Sequence, residues 1–192
     1  MTTRQANPRV VPLIVERWSP YSFDESEIPQ EDLDVIFEAG GWAPSAYNMQ
    51  PWKFLYARRG DENWERFLSV LIEFNQSWVK NASALVFVVS DTQMDFGGKK
   101  SPNHSHSFDA GAAWALAALQ ATALGYHTHG MSGVDFDKAR VELGIPDDYR
   151  LEAAFAVGRR GAPEKLPEKM RDRETPKGRK PISEFVVAGN FR

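Results

Sequence analysis

The sequence contains no cysteine, and this absence excludes several kinds of chemistry. Without cysteine the chain can form no disulfide framework, no thiolate zinc site, no iron–sulfur cluster on cysteine ligands and no cysteine nucleophile. Long apolar runs are missing too: residues 1–20 are interrupted by charges, and no other stretch approaches the ~20 apolar residues of a membrane span. We therefore expect a cytoplasmic protein with no membrane partner, in which any redox chemistry comes from a bound cofactor.

Internal repeats, low-complexity tracts and Gly/Ser linkers are also absent, so the 192 residues are predicted to form a single domain, residues 1–192. The formal net charge of −3 is unevenly distributed, because residues 159–180 contain nine Lys/Arg but only four Asp/Glu. Nucleic acid is not the expected partner, since the remaining surface is acidic and the common nucleic-acid-binding signatures are missing. The basic tail predicts a small phosphate ligand instead.

Hydrophobic periodicity predicts an α+β protein. Helices are predicted over residues 9–18, 29–41, 61–74, 109–124 and 135–143, and strands over residues 53–57, 84–90 and 151–157. Residues 42–52 are predicted to be non-helical, and residues 91–107 to form a long exposed connection. The helix over residues 109–124 is apolar on nearly all sides, which is typical of a helix in the core or in a subunit interface.

Four segments carry distinctive motifs. They are R-W-S-P-Y-S-F at residues 17–23, A-P-S-A-Y-N-M-Q-P-W at residues 43–52, G-Y-H-T-H-G-M-S-G-V-D at residues 125–135 and K-G-R-K-P-I-S-E-F at residues 177–185. Together they resemble the nitroreductase family of flavin mononucleotide (FMN) oxidoreductases, and the resemblance extends from about residue 9 to residue 187. The motif at residues 43–52 is the most specific of the four.

The resemblance implies a nitroreductase-like fold, with a mixed central β-sheet flanked by helices, in an intertwined homodimer. It implies that the tail, residues 162–192, packs on the partner subunit, where the apolar residues 185–187 would be covered. The implied activity is ping-pong transfer of a hydride from NADH or NADPH, through flavin N5, to a small electron-poor acceptor such as a nitroaromatic or a quinone. A non-catalytic flavin carrier or sensor on the same fold is the alternative.

The residues themselves suit such a cofactor. A bidentate guanidinium matches a phosphate, so Arg17 with Ser19, Lys177 and Arg179 forms a plausible clamp. The alternative is that Arg17 caps its own helix and that the tail charges are solvated. The glycines at residues 130–133 would let backbone N–H groups approach the flavin ring.

In the motif at residues 43–52, Ser45 and Asn48 offer short polar groups for the ribityl chain or the pyrimidine edge of a flavin, and in the family this turn often reaches the flavin of the partner subunit. The alternative is an ordered loop closed by an Asx turn at Asn48. Asn75 corresponds to a ring-contacting asparagine of some members or, alternatively, is an exposed helix-end residue. Tyr21 stands where the family commonly has Arg or Lys, a departure that favours the carrier alternative.

The resemblance thus implies a set of cofactor-binding and substrate-lining residues but no catalytic side chain, because the hydride chemistry belongs to the flavin. The cofactor-binding residues are Arg17, Trp18, Ser19, Tyr21, Pro44, Ser45, Ala46, Asn48, Asn75, Met131, Ser132, Gly133, Lys177 and Arg179, and the substrate-lining residues are His129 and Gly130.

The four histidines suggest a different function. His104 with His106, and His127 with His129, are spaced so that on a strand each pair would share one face, where imidazoles could bind zinc or nickel. No nearby cluster of Asp and Glu accompanies them, and the first pair lies in a polar connection. We therefore predict no metal site.

Overall fold

The computed structural model describes residue 4 and residues 6–191. The helices are α1 (Pro12–Glu16), α2 (Gln30–Gly41), α3 (Trp64–Ser69), α4 (Glu73–Val79), α5 (His106–Ala123), α6 (Phe136–Glu142) and α7 (Glu168–Arg171). The strands are β1 (Trp52–Arg58), β2 (Ala84–Asp91), β3 (Gln93–Asp95), β4 (Lys100–Pro102), β5 (His127–Met131) and β6 (Tyr149–Gly158). None of the described helices is both long enough and apolar enough to cross a membrane.

The central sheet has four strands in the order β1-β2-β6-β5. Strand β2 is buried along nearly its whole length because both faces of the sheet are covered. Ala84, Val86 and Val88 pack toward α2 and α5, whereas Leu85, Phe87 and Val89 belong to the cluster that contains α3 and α4. The predicted α+β class and the helix-flanked sheet are confirmed. All three strand pairings of this sheet are antiparallel, so within the described residues it does not have the predicted mixed character.

Several predicted element boundaries were wrong. The helix predicted over residues 9–18 spans only Pro12–Glu16, because proline occupies its first position and the backbone at Arg17 is already extended. The helix predicted over residues 61–74 is divided into α3 and α4. Between them Leu71 forms a β-bridge with Val134, and Ile72 N–H donates to Gly133 O at 3.1 Å, so the backbone pairs across the chain instead of continuing the helix.

Two further differences concern segments rich in glycine and polar residues. The connection predicted over residues 91–107 contains a hairpin, β3 paired with β4, and helix α5 begins at His106 rather than at residue 109. Within residues 125–135, five residues form strand β5 at the edge of the sheet. Residues of this strand line both cavities of the candidate functional site.

The segment that follows α1 is attached to the end of β6 by backbone pairing. Phe23 bridges Arg160, and Gly161 N–H donates to Ser22 O at 2.9 Å. The close approach requires Gly158, because a Cβ at that position would lie 2.8 Å from Phe23 Cδ1 and 3.1 Å from Ser83 N. Residues 17–23 are therefore fixed relative to the sheet.

We predict that Gly158→Ala lowers the free energy of unfolding by about 1–3 kcal/mol, because the added methyl group overpacks this contact. Gly41→Ala is the matched control: nothing lies within 4 Å of a Cβ at that helix-end position. The control should change stability by less than ~0.5 kcal/mol. Urea denaturation measures both values, and an equal effect of the two substitutions would contradict the tight packing at Gly158.

Candidate functional site

A buried carboxylate holds the segment from Arg17 to Tyr21 in place. Glu174 Oε2 accepts hydrogen bonds from the backbone N–H of Tyr21 at 2.7 Å and from that of Ser22 at 3.3 Å. The Glu174 side chain is fully buried, and its other oxygen lies 3.6 Å from Arg160 Nε. Arg160 also lies over the ring of Trp18, 5.1 Å from its centroid. Glu174, a residue of the basic tail, thus fixes the motif at residues 17–23, which we call the N-terminal motif.

This contact creates a cavity of about 330 Å³ between the N-terminal motif and the tail. Five cationic side chains line it: Arg4, Arg17, Arg173, Lys177 and Arg179. The remaining lining residues are Trp18, Ser19, Tyr21, His129 and Thr175. The cavity therefore brings together six of the predicted cofactor-binding residues with the predicted substrate-lining His129.

Among the described residues, the positive charges of this cavity, which we call the cationic cavity, have no anionic partner. In the described part of the chain, none of the five cations lies within 4.0 Å of a carboxylate. Burial lowers the pKa of Arg17, and the nearby charges of Arg179 and Arg4 lower it further. Burial and Arg179 likewise lower the pKa of Arg4. Because like charges held together disfavour the charged state, the arrangement is suited to an anion of high charge.

Arg4 has a structural role that the sequence did not indicate. Its Nη1 donates to Arg17 O at 2.9 Å and to Val15 O, while its Nε donates to Lys177 O at 3.2 Å. Arg4, rather than Arg17, therefore satisfies the carbonyl groups at the end of α1. The Arg17 side chain instead points toward Ser19, whose Oγ accepts from Nη1 at 3.5 Å.

His129 borders the cationic cavity and is held as a neutral imidazole. Its Nδ1 lies 2.8 Å from Pro20 O, and since a carbonyl can only accept, Nδ1 carries the proton. Burial lowers the pKa of His129, Arg17 lowers it further, and the Pro20 hydrogen bond opposes both. Its ring packs on Tyr21 and Trp78, with centroids 4.5 and 4.6 Å apart. This packing fixes the ring orientation of both Tyr21 and His129.

A second cavity, of about 320 Å³, follows the first along strand β5. Its lining is mostly apolar and comprises Val88, Ser107, Ala110, Gly111, Trp114, Gly130, Met131, Ser132, Glu152, Ala153, Ala154 and Phe155. A side chain at Gly130 would close part of it, because a Cβ there would lie 2.9 Å from the Trp114 ring. Three residues predicted to lie beside a flavin ring or its substrate, Gly130, Met131 and Ser132, thus share one apolar cavity.

Asn75 and Gly133 lie together close to the end of β5. Asn75 is buried rather than exposed, and its Nδ2 donates to Gly133 O at 3.0 Å. A Cβ at residue 133 would be 2.4 Å from that nitrogen, so this contact requires glycine. The hydrogen bond fixes the backbone that follows β5.

The motif at residues 43–52 is not part of either cavity in this chain. Its backbone is anchored where Ala46 N–H donates to Asp109 Oδ2 at 3.0 Å, and Ser45 Oγ, rather than Asn48, closes the turn by accepting from Gln50 N–H at 3.0 Å. Tyr47 has a positive φ of 51°, and its side chain is 78% exposed. The predicted Pro44, Ser45, Ala46 and Asn48 are therefore not brought to the cationic cavity.

The histidine pairs form no metal centre among the residues that the structure describes, where no group of three or more potential ligands is found. His104 is exposed, and His106 contacts Ser90 and Glu152.

Three lining residues of the cationic cavity were missed by the sequence analysis: Arg4, Arg173 and Thr175. For Arg173 the excess of basic residues in the tail was the available signal, whereas no pattern pointed to Arg4.

Comparison with known proteins gives a consistent result. The model of the nitroreductase family matches residues 14–76 and 63–159. A solved structure described as an oxidoreductase containing FMN is 44% identical, with a TM-score of 0.96 over 100% of this chain and 98% of that one.

Two curated relatives are named for reductase activities. A CLA biosynthesis enone reductase from Lactiplantibacillus plantarum is 26% identical over 80% of this chain and 86% of its own length. An oxygen-insensitive NADPH nitroreductase from Helicobacter pylori is 35% identical, over 41% of this chain and 37% of its own length.

Proposed function

This chain belongs to the nitroreductase family, and we propose that it is an FMN-dependent oxidoreductase acting between NADH or NADPH and an electron-poor acceptor by a ping-pong mechanism. The observation that carries the proposal is the cavity in which five cations converge, with no carboxylate partner within 4.0 Å among the residues that the structure describes. The FMN-containing structural relative and the names of the reductase relatives support it. The proposed acceptors are nitroaromatics and quinones, and the name of the enone reductase relative adds enones to them. Because the proposed reductants are intracellular, this function agrees with the cytoplasmic location expected from the sequence.

The residues of the cationic cavity fit the phosphate of FMN. Burial disfavours the charged state of Arg4 and Arg17, and the nearby charge of Arg179 adds repulsion. A phosphate dianion would relieve this repulsion. Lys177 and Ser19 would add further donors from two sides of the cavity. A neutral or cationic ligand would leave the repulsion in place.

The apolar cavity fits the ring system. With the phosphate in the cationic cavity, the ring would extend along β5 toward Gly130, Met131 and Ser132, which line the apolar cavity. When bound, FMN supplies the group that accepts a hydride from NAD(P)H and gives it to an acceptor. Here the protein's contribution is to hold the ring, to orient it with the rigid pair of Tyr21 and His129, and to exclude water.

A homodimer would complete the site. Large apolar side chains are exposed on this chain at Trp42 (79%), Tyr47 (78%) and Phe108 (81%), and again in the tail at Ile182 (69%) and Phe185 (65%). Large apolar side chains of this kind mark an interaction surface where they form one contiguous patch. We propose that a second copy covers them and that its residues 44–48 reach the cofactor from the opposite side.

Only part of the predicted tail is available for that role. Leu166, Met170 and Glu174 are buried in their own chain, whereas residues 177–191 are exposed throughout. Arg192, the last residue of the predicted tail, lies outside the described residues. We therefore assign the contact with the partner to residues 177–191.

For Arg17→Ala we predict a loss of about 2 kcal/mol of FMN binding free energy, close to a 30-fold rise in Kd, because a charge-assisted phosphate contact is removed. Lys80→Ala removes an exposed cation that does not line the cavity and should leave Kd unchanged. Titration of the cofactor-free protein with FMN, followed by flavin fluorescence, gives both constants. Equal Kd values for Arg17→Ala and the wild type would contradict the phosphate site.

Anaerobic reduction distinguishes an enzyme from a carrier. The protein loaded with FMN and desalted should lose its visible flavin absorbance when NADH or NADPH is added and should recover it when menadione, a quinone, follows. A flavin that is retained but stays oxidised would indicate the carrier alternative, which Tyr21 had favoured. A protein that retains no flavin would refute the proposed cofactor.

Deletion of residues 180–192 should convert the dimer to a monomer and weaken FMN retention, because it removes exposed apolar residues while leaving Lys177 and Arg179 in place. Val141→Asp changes an apolar residue on α6 that is even more exposed than Ile182 and Phe185, and this variant should remain dimeric. Light scattering coupled to size-exclusion chromatography measures the mass. A truncated protein that stays dimeric and keeps its flavin would exclude this role for the tail.

A further inference from the structure

A β-bulge directs one acidic side chain into the apolar cavity. In the pairing of β2 with β6, Val88 is opposite Ala153 and Val89 is opposite Leu151, so Glu152 is an extra residue in β6. Bulges of this kind redirect a side chain and recur beside functional sites. The Glu152 side chain is mostly buried, 16% exposed, and it is the one charged residue among those that line the apolar cavity.

Glu152 is the centre of a hydrogen-bonded cluster, which we call the Glu152 cluster: Ser90, His106, Ser107 and Glu152. Glu152 Oε1 accepts from Ser90 Oγ at 2.6 Å and from Ser107 Oγ at 2.7 Å, and His106 Nδ1 lies 3.3 Å from the same oxygen. Because the Ser90 hydrogen goes to Glu152, Ser90 Oγ accepts from His106 Nδ1, 2.7 Å away. His106 Nδ1 therefore carries a proton.

The cluster connects solvent to the cavity. Glu152 and Ser107 line the cavity, and the side chains of His106 and Glu152 are each partly exposed, at 15% and 16%. A carboxylate that accepts from two hydroxyl groups and lies beside an imidazole can pass a proton from that imidazole to a molecule in the cavity. The proposed function needs this step, because an acceptor that gains a hydride must also gain a proton.

The other charged groups around Glu152 do not compete for this proton. Arg150 Nε lies 3.6 Å from Glu152 Oε2, and a guanidinium offers no acceptor atom for a proton. Arg140 and Asp147, which share a neighbouring cavity with Glu152, pair with each other at 2.8 Å. Asp109 on α5 accepts from Ala46 N–H and Ser105 Oγ.

We propose that the Glu152 cluster is the proton donor for an acceptor bound in the apolar cavity, an inference that rests on the proposed function. A quinone takes the hydride and its electron pair from the reduced enzyme, which NAD(P)H had reduced, and one quinone oxygen becomes anionic. The proton moves from His106 Nδ1 to Glu152 and from Glu152 to that oxygen, which yields the hydroquinone. The step requires His106 to begin as the imidazolium, protonated at Nε2 as well as at Nδ1, so that it ends as the neutral imidazole and regains its proton from water.

The test compares two acceptors in the FMN-loaded protein reduced with NADPH or NADH. Menadione needs a proton for each hydride, whereas ferricyanide takes electrons alone. Glu152→Gln keeps the shape of the side chain but cannot carry the proton, so the menadione rate should fall about 100-fold while the ferricyanide rate stays within about twofold. His106→Gln, which removes the imidazole behind Glu152, should give the same selective loss and serves if Glu152→Gln does not fold.

A second measurement needs no cofactor. Menadione added to cofactor-free protein should quench the fluorescence of Trp114, which lines the cavity, and Trp114→Phe identifies that signal. Glu152→Gln should bind menadione with an affinity within about twofold of the wild type, because the proposed role is proton transfer rather than binding. Absence of quenching in the wild type would place the acceptor elsewhere and overturn the inference.

The outcomes separate the two proposals. Equal losses with menadione and ferricyanide, or no loss with either, would refute the Glu152 cluster as proton donor while leaving an active flavin reductase. No reduction of ferricyanide by the wild type with NADH or NADPH would refute the proposed function, and this inference with it.

Discussion

The architecture of the site depends on the buried contact between Glu174 and the backbone of Tyr21 and Ser22. A fully buried carboxylate is tolerated only when it is hydrogen-bonded and faces a cation, and Arg160 supplies that cation. The contact joins residues separated by more than 150 positions, and on either side of it the chain places Arg17 and the cations of the tail around one cavity. Without it, the cations of the tail would not be held against the N-terminal motif.

The cavity therefore holds its positive charges close together before any ligand is bound. Burial lowers the pKa values of Arg4 and Arg17, and the nearby charge of Arg179 lowers both further. Core packing and the backbone pairing near Gly158 maintain this arrangement against the repulsion. A dianion reverses the sign of the interaction, so binding it should stabilise the fold as well as fill the site.

Sequence patterns were sufficient for the fold class, the buried strand β2 and helix α2, because hydrophobic periodicity and end signals report local structure directly. They also identified Arg17, Ser19, Lys177 and Arg179, which converge as expected. Patterns could not reveal the break at Leu71, the strand β5 or the bulge at Glu152, since each depends on pairing with a distant segment. Nor could they place Arg4, whose role rests on three carbonyl groups brought together by folding.

Strand β5 connects the two cavities: His129 borders the cationic one, and Gly130 to Ser132 border the apolar one. We propose that the phosphate binds in the first cavity and that the ring and the acceptor bind in the second. Calorimetric titration of cofactor-free protein with FMN and with riboflavin, which lacks the phosphate, tests this assignment most directly. We predict that riboflavin binds at least about 100-fold more weakly, because several charge-assisted contacts are lost. Equal affinities would contradict the cationic cavity as a phosphate site.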